Sequence, residues 1–252
     1  MNLMDIKIFP WLAPRHVGKV IRLGRQYDGG YIVPEADVIS ADGLISFGIN
    51  DDWSFEKDFR AINKVPVHAF DASVDAKFFV KLFFKYARKN ILGPFIWLRK
   101  LIDYCAFFKG PVRHHKKFIS DERLDEVSEI AFDEVMENYQ GDHLFLKMDI
   151  EGGEYRVLSQ ILKHQSRFVG FAAEFHNCDI HIKEIERFVS ELRMTVVHVH
   201  ANNFRPVRCG RTVPEALEIT FSRQTASGPA TLPSTLDMPC CSNRTEIVLK
   251  QP

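Results

Sequence analysis

Apolar residues gather in short continuous runs instead of alternating with polar ones: GLISFGIN (43–50), VPVHAFD (65–71), HLFLKMDI (143–150), FVGFAAEFH (168–176), MTVVHVHAN (194–202) and ALEITFSR (216–223). Runs of this length, apolar on both faces, predict strands covered on both sides. Between them the spacing predicts helices over 54–63, 121–139, 151–164 and 179–193, the last presenting Ile182, Ile185, Phe188, Val189 and Leu192 on one face. Strand and helix in repetition predict an α/β fold with a doubly wound, mostly parallel sheet. The last two runs are separated only by the loop 203–215, with two prolines, so they are expected to pair antiparallel, giving a C-terminal antiparallel edge strand. The stretch QTASGPATLPST (224–235) reads as an exposed loop, and a final short strand, EIVLK, is expected after it.

The chain has 252 residues, 46% hydrophobic and 26% charged, the mix of an ordinary globular protein, and one domain over 1–252 is expected. Lys+Arg and Asp+Glu both number 33, so the bulk positive charge that nucleic-acid binding uses is missing, and no nucleic-acid partner is expected. The opening MNLMDIKIFPWLAP lacks the basic start and apolar run of an export signal. The most apolar stretch, 91–108, is broken by Arg99, Lys100 and Asp103 and is not expected to span a bilayer. Five cysteines (Cys105, Cys178, Cys209, Cys240, Cys241) without CxxC spacing argue against a disulfide framework or a structural zinc site and point to a reducing cytoplasm.

Residues 75–117 form an insertion whose local composition departs from the rest. Eleven basic residues (Lys77, Lys81, Lys85, Arg88, Lys89, Arg99, Lys100, Lys109, Arg113, Lys116, Lys117) against Asp75 and Asp103 give it a charge of +9, interleaved with Phe78, Phe79, Leu82, Phe83, Phe84 and Tyr86. Two readings stand: a basic-aromatic helix facing an anionic membrane surface or acidic acceptor, and a helical cap with solvated lysines.

In open α/β sheets ligands bind beyond the carboxyl ends of the strands, so the polar residues just after each run carry the candidate chemistry. The first run leads into FGINDDWSFE, where Gly48 permits close backbone approach and Asn50, Asp51 and Asp52 offer acceptors. The second ends at Asp71, an acceptor for both hydroxyls of a ribose, or a helix N-cap. LKMDIEGGEYRVL puts Asp149 at a strand end and Glu151 and Glu154 where a helix opens, a position favourable to carboxylates. Asp28, Gly29 and Gly30 make a turn signature. Glu174 and His176 close one run, and His198, His200 and Asn202 the next, with alternation placing both later histidines on one face.

The segment LKMDIEGGEYRVL resembles the FkbM-like S-adenosylmethionine-dependent methyltransferases of class I. RLGRQYDGGYIVP, LISFGINDDWSFE, HAFD, AAEFH, HVHANN, VPEALEITF and LDMPCCSNRTEIVL extend the resemblance over nearly the whole chain. It implies a Rossmann-like fold and S-adenosylmethionine as cofactor. It also implies Gly48, Asn50 and Asp52 beside the methionine and ribose parts, Asp71 on the ribose, Asp149 nearby, and Asp28, Gly29 and Gly30 over the amino-acid end. The glycine-rich loop is reduced to Gly48, and the basic insertion lies outside the family pattern. The implied acceptor is a sugar hydroxyl on a glycan, glycolipid or glycosylated metabolite.

Transfer to a hydroxyl needs a group that accepts the proton as the oxygen becomes nucleophilic, a role open to His176 or His200. The candidate catalytic set is His176, Asp149, Glu174 and His200. Asp149, Glu174 and His200 are alternatively a divalent-metal site that acidifies a sugar diol. Two other readings compete: a metal-dependent hydrolase using the Asp/Glu/His cluster, which would not bind the cofactor, and a non-catalytic cofactor-binding adaptor at a membrane, which would bind it without turnover. The location expected on these grounds is cytoplasmic, with peripheral contact at the inner membrane face through 75–117.

Overall fold

A computed structural model describes residues 3–87, 93–122, 127–139, 141–205 and 207–252. From the N-terminus, β1 (Leu3–Lys7), β2 (Arg15–His16) and the hairpin β3 (Val20–Leu23) and β4 (Tyr31–Pro34) lead through α1 (Glu35–Ser40) to β5 (Gly43–Phe47), α2 (Ser54–Ile62) and β6 (Val67–Phe70). Next come α3 (Ala76–Ala87), α4 (Gly93–Phe107), β7 (Val112–His115), β8 (Phe118–Ser120), β9 (Glu129–Ala131), α5 (Phe132–Asn138) and β10 (Leu144–Met148). The C-terminal half runs α6 (Glu154–His164), β11 (Phe168–His176), α7 (Cys178–Glu191), β12 (Thr195–Ala201), β13 (Ala216–Ser222), β14 (Gly228–Pro229) and β15 (Glu246–Lys250).

Seven strands form the central sheet in the order β12-β13-β11-β10-β5-β6-β7. Pairing is parallel from β11 through to β7, and β13 is antiparallel to both its neighbours. This is the expected α/β doubly wound sheet, with one adjustment. The antiparallel strand β13 inserts between β11 and β12, leaving β12 at the edge.

Adjacent residues of the sheet feed opposite cores. Phe47, Leu146, Met148, Phe171 and Phe175 pack on the face covered by α5, α6 and α7, while Leu44, Phe145 and Ala172 meet Phe55, Phe59, Val38 and the β3–β4 hairpin on the other. All are buried, which is why these strands show no polar alternation.

Three sequence expectations are revised. The insertion is not wholly helical: Val112–His115 is the third parallel strand and pairs with β6, so α3 and α4 are the elaborated crossover that leads to it. The 121–139 helix contracts to Phe132–Asn138, preceded by β9, with 123–126 outside the described residues. The 224–235 loop carries a two-residue strand paired with β2. Among the described residues no helix is long and apolar enough to cross a membrane.

Candidate functional site

The chain order reverses between β5 and β10, which pair at the sheet centre while the connections after them run to opposite sides. Such a switch point opens a crevice at the strand ends. A cavity of about 440 Å³ lies there, within the ~300–1,000 Å³ of small-molecule sites. Its walls include Asp28, Gly29, Gly48, Asn50, Asp52, Asp71 and Asp149. Of the residues expected around the cofactor, Gly30 is not among them; a Cβ there would fall 2.5 Å from the Arg25 carbonyl oxygen, so its role is in closing the β3–β4 hairpin. The Asp28-Gly29-Gly30 segment is thus both a turn and, through its first two residues, a wall of the cavity.

Local chemistry explains the crevice. Gly48 has φ +76°, and a Cβ on it would stand 1.6 Å from the Asp149 carbonyl oxygen, so the loops after β5 and β10 touch at a point only glycine fills. Asp71 accepts hydrogen bonds from the Ile49 and Asn50 amides (3.0 and 2.8 Å) and from the Ser73 amide and hydroxyl (2.7 and 2.5 Å). Four donors fill the capacity of one carboxylate. Asp71 borders the cavity and also clamps the Gly48 loop. Asp52 is tied to Ser54 and to Arg25, whose Nε is 3.2 Å away. Lys147 donates to the Gly48 carbonyl at 2.5 Å and lies 4.0 Å from Asp149, which also accepts from the Tyr31 hydroxyl at 3.2 Å.

Glu56 escaped the sequence reading. It is buried in the first turn of α2, accepts from Ser46 Oγ through one oxygen, and keeps Oε2 without a partner beside the cavity. Burial pushes its pKa up, against the pull of Lys147. The available signal was its position as the first acid after the β5 loop, the counterpart of Glu154 after β10.

A second cavity of about 340 Å³ shares Asp28, Asp149 and Glu151 with the first and adds Glu174, His176, Asn202, Phe204 and Arg205. His176 Nδ1 is 3.0 Å from Glu154 Oε1, while Nε2 faces Glu151 (3.5 Å) and Glu174 (3.6 Å). Glu154 also accepts from the Ile150 and Gly152 amides (3.3 and 3.1 Å) and is thereby fixed. A carboxylate on Nδ1 holds the proton there and leaves Nε2 as the basic nitrogen. Burial alone would lower the His176 pKa, but the Glu154 bond and the surrounding carboxylates outweigh it, and the pKa rises. Burial, followed by repulsion from Asp149 and Glu218, pushes Glu174 well above the carboxylate range; it accepts from Asn202 Nδ2 at 2.8 Å, and the same amide reaches Asp28 at 3.1 Å.

The expected set divides here. Asp149, Glu174 and His176 meet in this cavity; His200 does not. It stands two strands from Glu174 in one cross-sheet row, Glu174–Glu218–His200, and its ring faces Asp237 (3.7 Å) and Glu246 (3.9 Å) in a separate cavity. The Asp149/Glu174/His200 metal triad is therefore not assembled: the intervening antiparallel β13 carries His200 away from Asp149. Asp149, Glu151 and His176 bring ligand atoms within 4.8 Å of one another, but Glu151 is largely exposed and already paired with Arg205 at 3.2 Å.

Residues 101–206 match the methyltransferase FkbM domain, a narrower span than the resemblance read from the sequence; it takes in the Asp149–Glu154, His176 and Asn202 segments and leaves out the Gly48 loop and the C-terminal segment. No curated protein matches. Among solved structures the chain is similar to an rRNA methylase from Streptococcus thermophilus (11% identity, 76% of this chain and 94% of that one, TM-score 0.40). It is also similar to precorrin-6y C5,15-methyltransferase from Geobacter metallireducens (10%, 76% and 85%, 0.40) and to M. jannaschii TYW2 in complex with AdoMet (9%, 75% and 74%, 0.36). At such scores the likenesses decide neither substrate nor mechanism.

Proposed function

We propose that this chain, whose residues 101–206 match the methyltransferase FkbM domain, is an S-adenosylmethionine-dependent methyltransferase whose acceptor is a sugar hydroxyl on a glycan or glycolipid, deprotonated by His176. The observation that carries this reading is the Glu154–His176 pair, which aims a basic Nε2 into a polar cavity that shares Asp28, Asp149 and Glu151 with the larger one. Carboxylates, an amide and an arginine (Glu174, Asn202, Arg205) line that cavity beside Phe204, donors and acceptors suited to the hydroxyls of a carbohydrate.

The larger cavity fits the cofactor's charge pattern. Bound S-adenosylmethionine supplies an electrophilic methyl on a sulfonium centre. Asp149 offers an acceptor to its cationic groups with the buried Glu56 carboxyl behind the wall, Gly48 allows close backbone approach, and Asp28 and Gly29 close one side. His176 takes the acceptor's proton at Nε2, and Glu154 stabilises the imidazolium that results. Asp71 acts through the loop it clamps. All of these roles fall within one catalytic unit spanning the whole chain.

The exposed side chains of α3 and α4 favour a lipid-linked acceptor. Phe84, Phe95, Ile96 and Ile102 are each about 60% exposed, accompanied by exposed Lys77, Lys81, Lys85, Arg99 and Lys109. Arg88 and Lys89 lie outside the described residues. Apolar side chains with flanking bases are the composition of an interfacial helix on an anionic membrane.

Calorimetric titration with S-adenosylmethionine, on the wild type and Asp71→Ala, tests the cofactor site, with weaker binding expected in the variant. Radiolabelled methyl transfer is then offered to lipid-linked glycans, free oligosaccharides and RNA. Label on the glycan fraction supports the reading, whereas label on RNA alone overturns it. Binding without turnover on any acceptor would return the non-catalytic adaptor.

A further inference from the structure

A buried group of three side chains lies outside the methyl-transfer site. Glu218 of β13 and His200 of β12 are cross-strand partners, so their side chains rise from the same face. Cys240, from the C-terminal segment, is laid over them with Sγ 3.3 Å from Glu218 Oε1. One ligand atom from each lies within 4.8 Å of the other two. All three residues are buried, with 3–5% exposure, and His200 Nε2 has no hydrogen-bond partner. A buried ring nitrogen left unpaired carries a desolvation cost of ~1–3 kcal/mol and calls for an explanation.

We propose that His200, Glu218 and Cys240 bind a zinc ion that fastens the C-terminal segment to the sheet. The donor set fixes the class of metal. A thiolate and an imidazole are poor ligands for magnesium or calcium and good ones for zinc, which takes mixed sulfur, nitrogen and oxygen donors. Charge agrees: a thiolate and a carboxylate carry two negative charges, a divalent ion cancels them, and a neutral buried centre results. Without the ion, burial drives both groups toward their protonated forms. The Arg22 guanidinium nearby opposes a cation, while Asp28 and Glu174 on the other side of Glu218 offset it.

Three protein ligands leave one position of a tetrahedral zinc open, and a cavity of about 200 Å³ lined by His200, Asp237 and Glu246 adjoins it. The backbone that delivers Cys240 is held in place independently: Asn203 donates to the Cys241 carbonyl at 2.9 Å and accepts from the Cys241 amide at 2.6 Å. The ligands come from residues far apart in sequence, which is why cysteine spacing argued against zinc. Because Glu218 neighbours Glu174 across the sheet, the ion also buttresses the acceptor cavity from behind.

The experiment strips the full-length protein of metal with a chelator and reloads it with Zn²⁺ or Co²⁺. The wild type is expected to retain a single zinc per chain through gel filtration, and its cobalt form to show a thiolate-to-metal charge-transfer band. Cys240→Ser is expected to lose the band and well over tenfold in zinc affinity, the range in which even outer-shell partners act. Glu218→Gln, nearly isosteric, is expected to lose affinity on the same scale while keeping its circular dichroism spectrum. Cys241→Ser and Glu151→Gln are expected to keep both band and affinity, which separates this site from the Asp149/Glu151/His176 group. Wild type that retains no stoichiometric zinc, or a folded Glu218→Gln with unchanged affinity, overturns the proposal.

Discussion

His176, the base proposed above, is held by Glu154, 3.0 Å from its Nδ1, and a fixed tautomer is what a histidine base needs. The same carboxylate that raises the His176 pKa sets the pH dependence. His176 accepts a proton only when neutral, so kcat/KM is expected to rise with pH through a limb above the ordinary histidine range. Glu154→Gln removes the raising charge and should move the limb to lower pH, together with a lower kcat. His176→Gln should reduce kcat by ~10²–10⁴ and leave S-adenosylmethionine affinity unchanged. A pH–rate profile of the three proteins with the methylated acceptor checks this, and an unmoved limb in Glu154→Gln would remove His176 from the base role. Gly48 makes the complementary steric case. Gly48→Ala drives a methyl into the Asp149 carbonyl, so a loss of ~1–3 kcal/mol or more of stability is expected with lost cofactor binding, read by thermal melts and titration.

Elements were more legible in the sequence than side-chain roles, for a physical reason. β11 runs Phe168–His176, the full span of the run FVGFAAEFH, because a strand buried on both faces must be apolar throughout. β7 was missed because VRHH is polar: an edge strand exposes one side and loses that signature. Asp149 and Gly48 could be placed because strand ends in such a sheet converge, Asp28 only through the family resemblance, whereas the separation of His200 from His176 depends on β13 inserting between their strands, which no local pattern encodes. The α3–α4 hairpin was visible in composition, and its placement adds a reason for its exposure. Trp53, from the Gly48 loop, packs against Phe79, Tyr104 and Phe108, and donates from Nε1 to Asp103 at 2.9 Å. One side of the hairpin is spent on the Gly48 loop, and the other is left outward. Replacing Phe95 and Ile96 together with aspartate is expected to abolish sedimentation with phosphatidylglycerol vesicles while preserving cofactor binding; unchanged sedimentation would assign the face to something other than lipid.

At the scale of the whole molecule, segments remote in sequence are joined through buried polar groups, and Asp37 shows the consequence most directly. It belongs to α1, is fully buried, accepts from Gln224 Nε2 at 3.1 Å through one oxygen, and leaves the other without a partner. That free oxygen faces Gly170 of β11, where even a Cβ would approach to 2.9 Å. Burial raises the carboxyl to about 6, against the lowering effect of hydrogen bonds to Ser222 and Gln224. The folded state therefore keeps a proton that the unfolded chain, titrating near 3.8, has already released. Between those values folding takes up a proton, so the stability contributed by Asp37 is complete below the lower value, falls as pH rises, and is gone above about 6. Melting temperatures of the wild type are expected to decline over that interval from this group. Asp37→Asn, which removes the titrating charge while keeping an oxygen to accept from Gln224, should flatten the decline and melt higher at neutral pH. Equal slopes in the two proteins would mean that the carboxyl titrates alike in the folded and unfolded chain, and that the contact between α1, β11 and residue 224 is looser than its geometry implies.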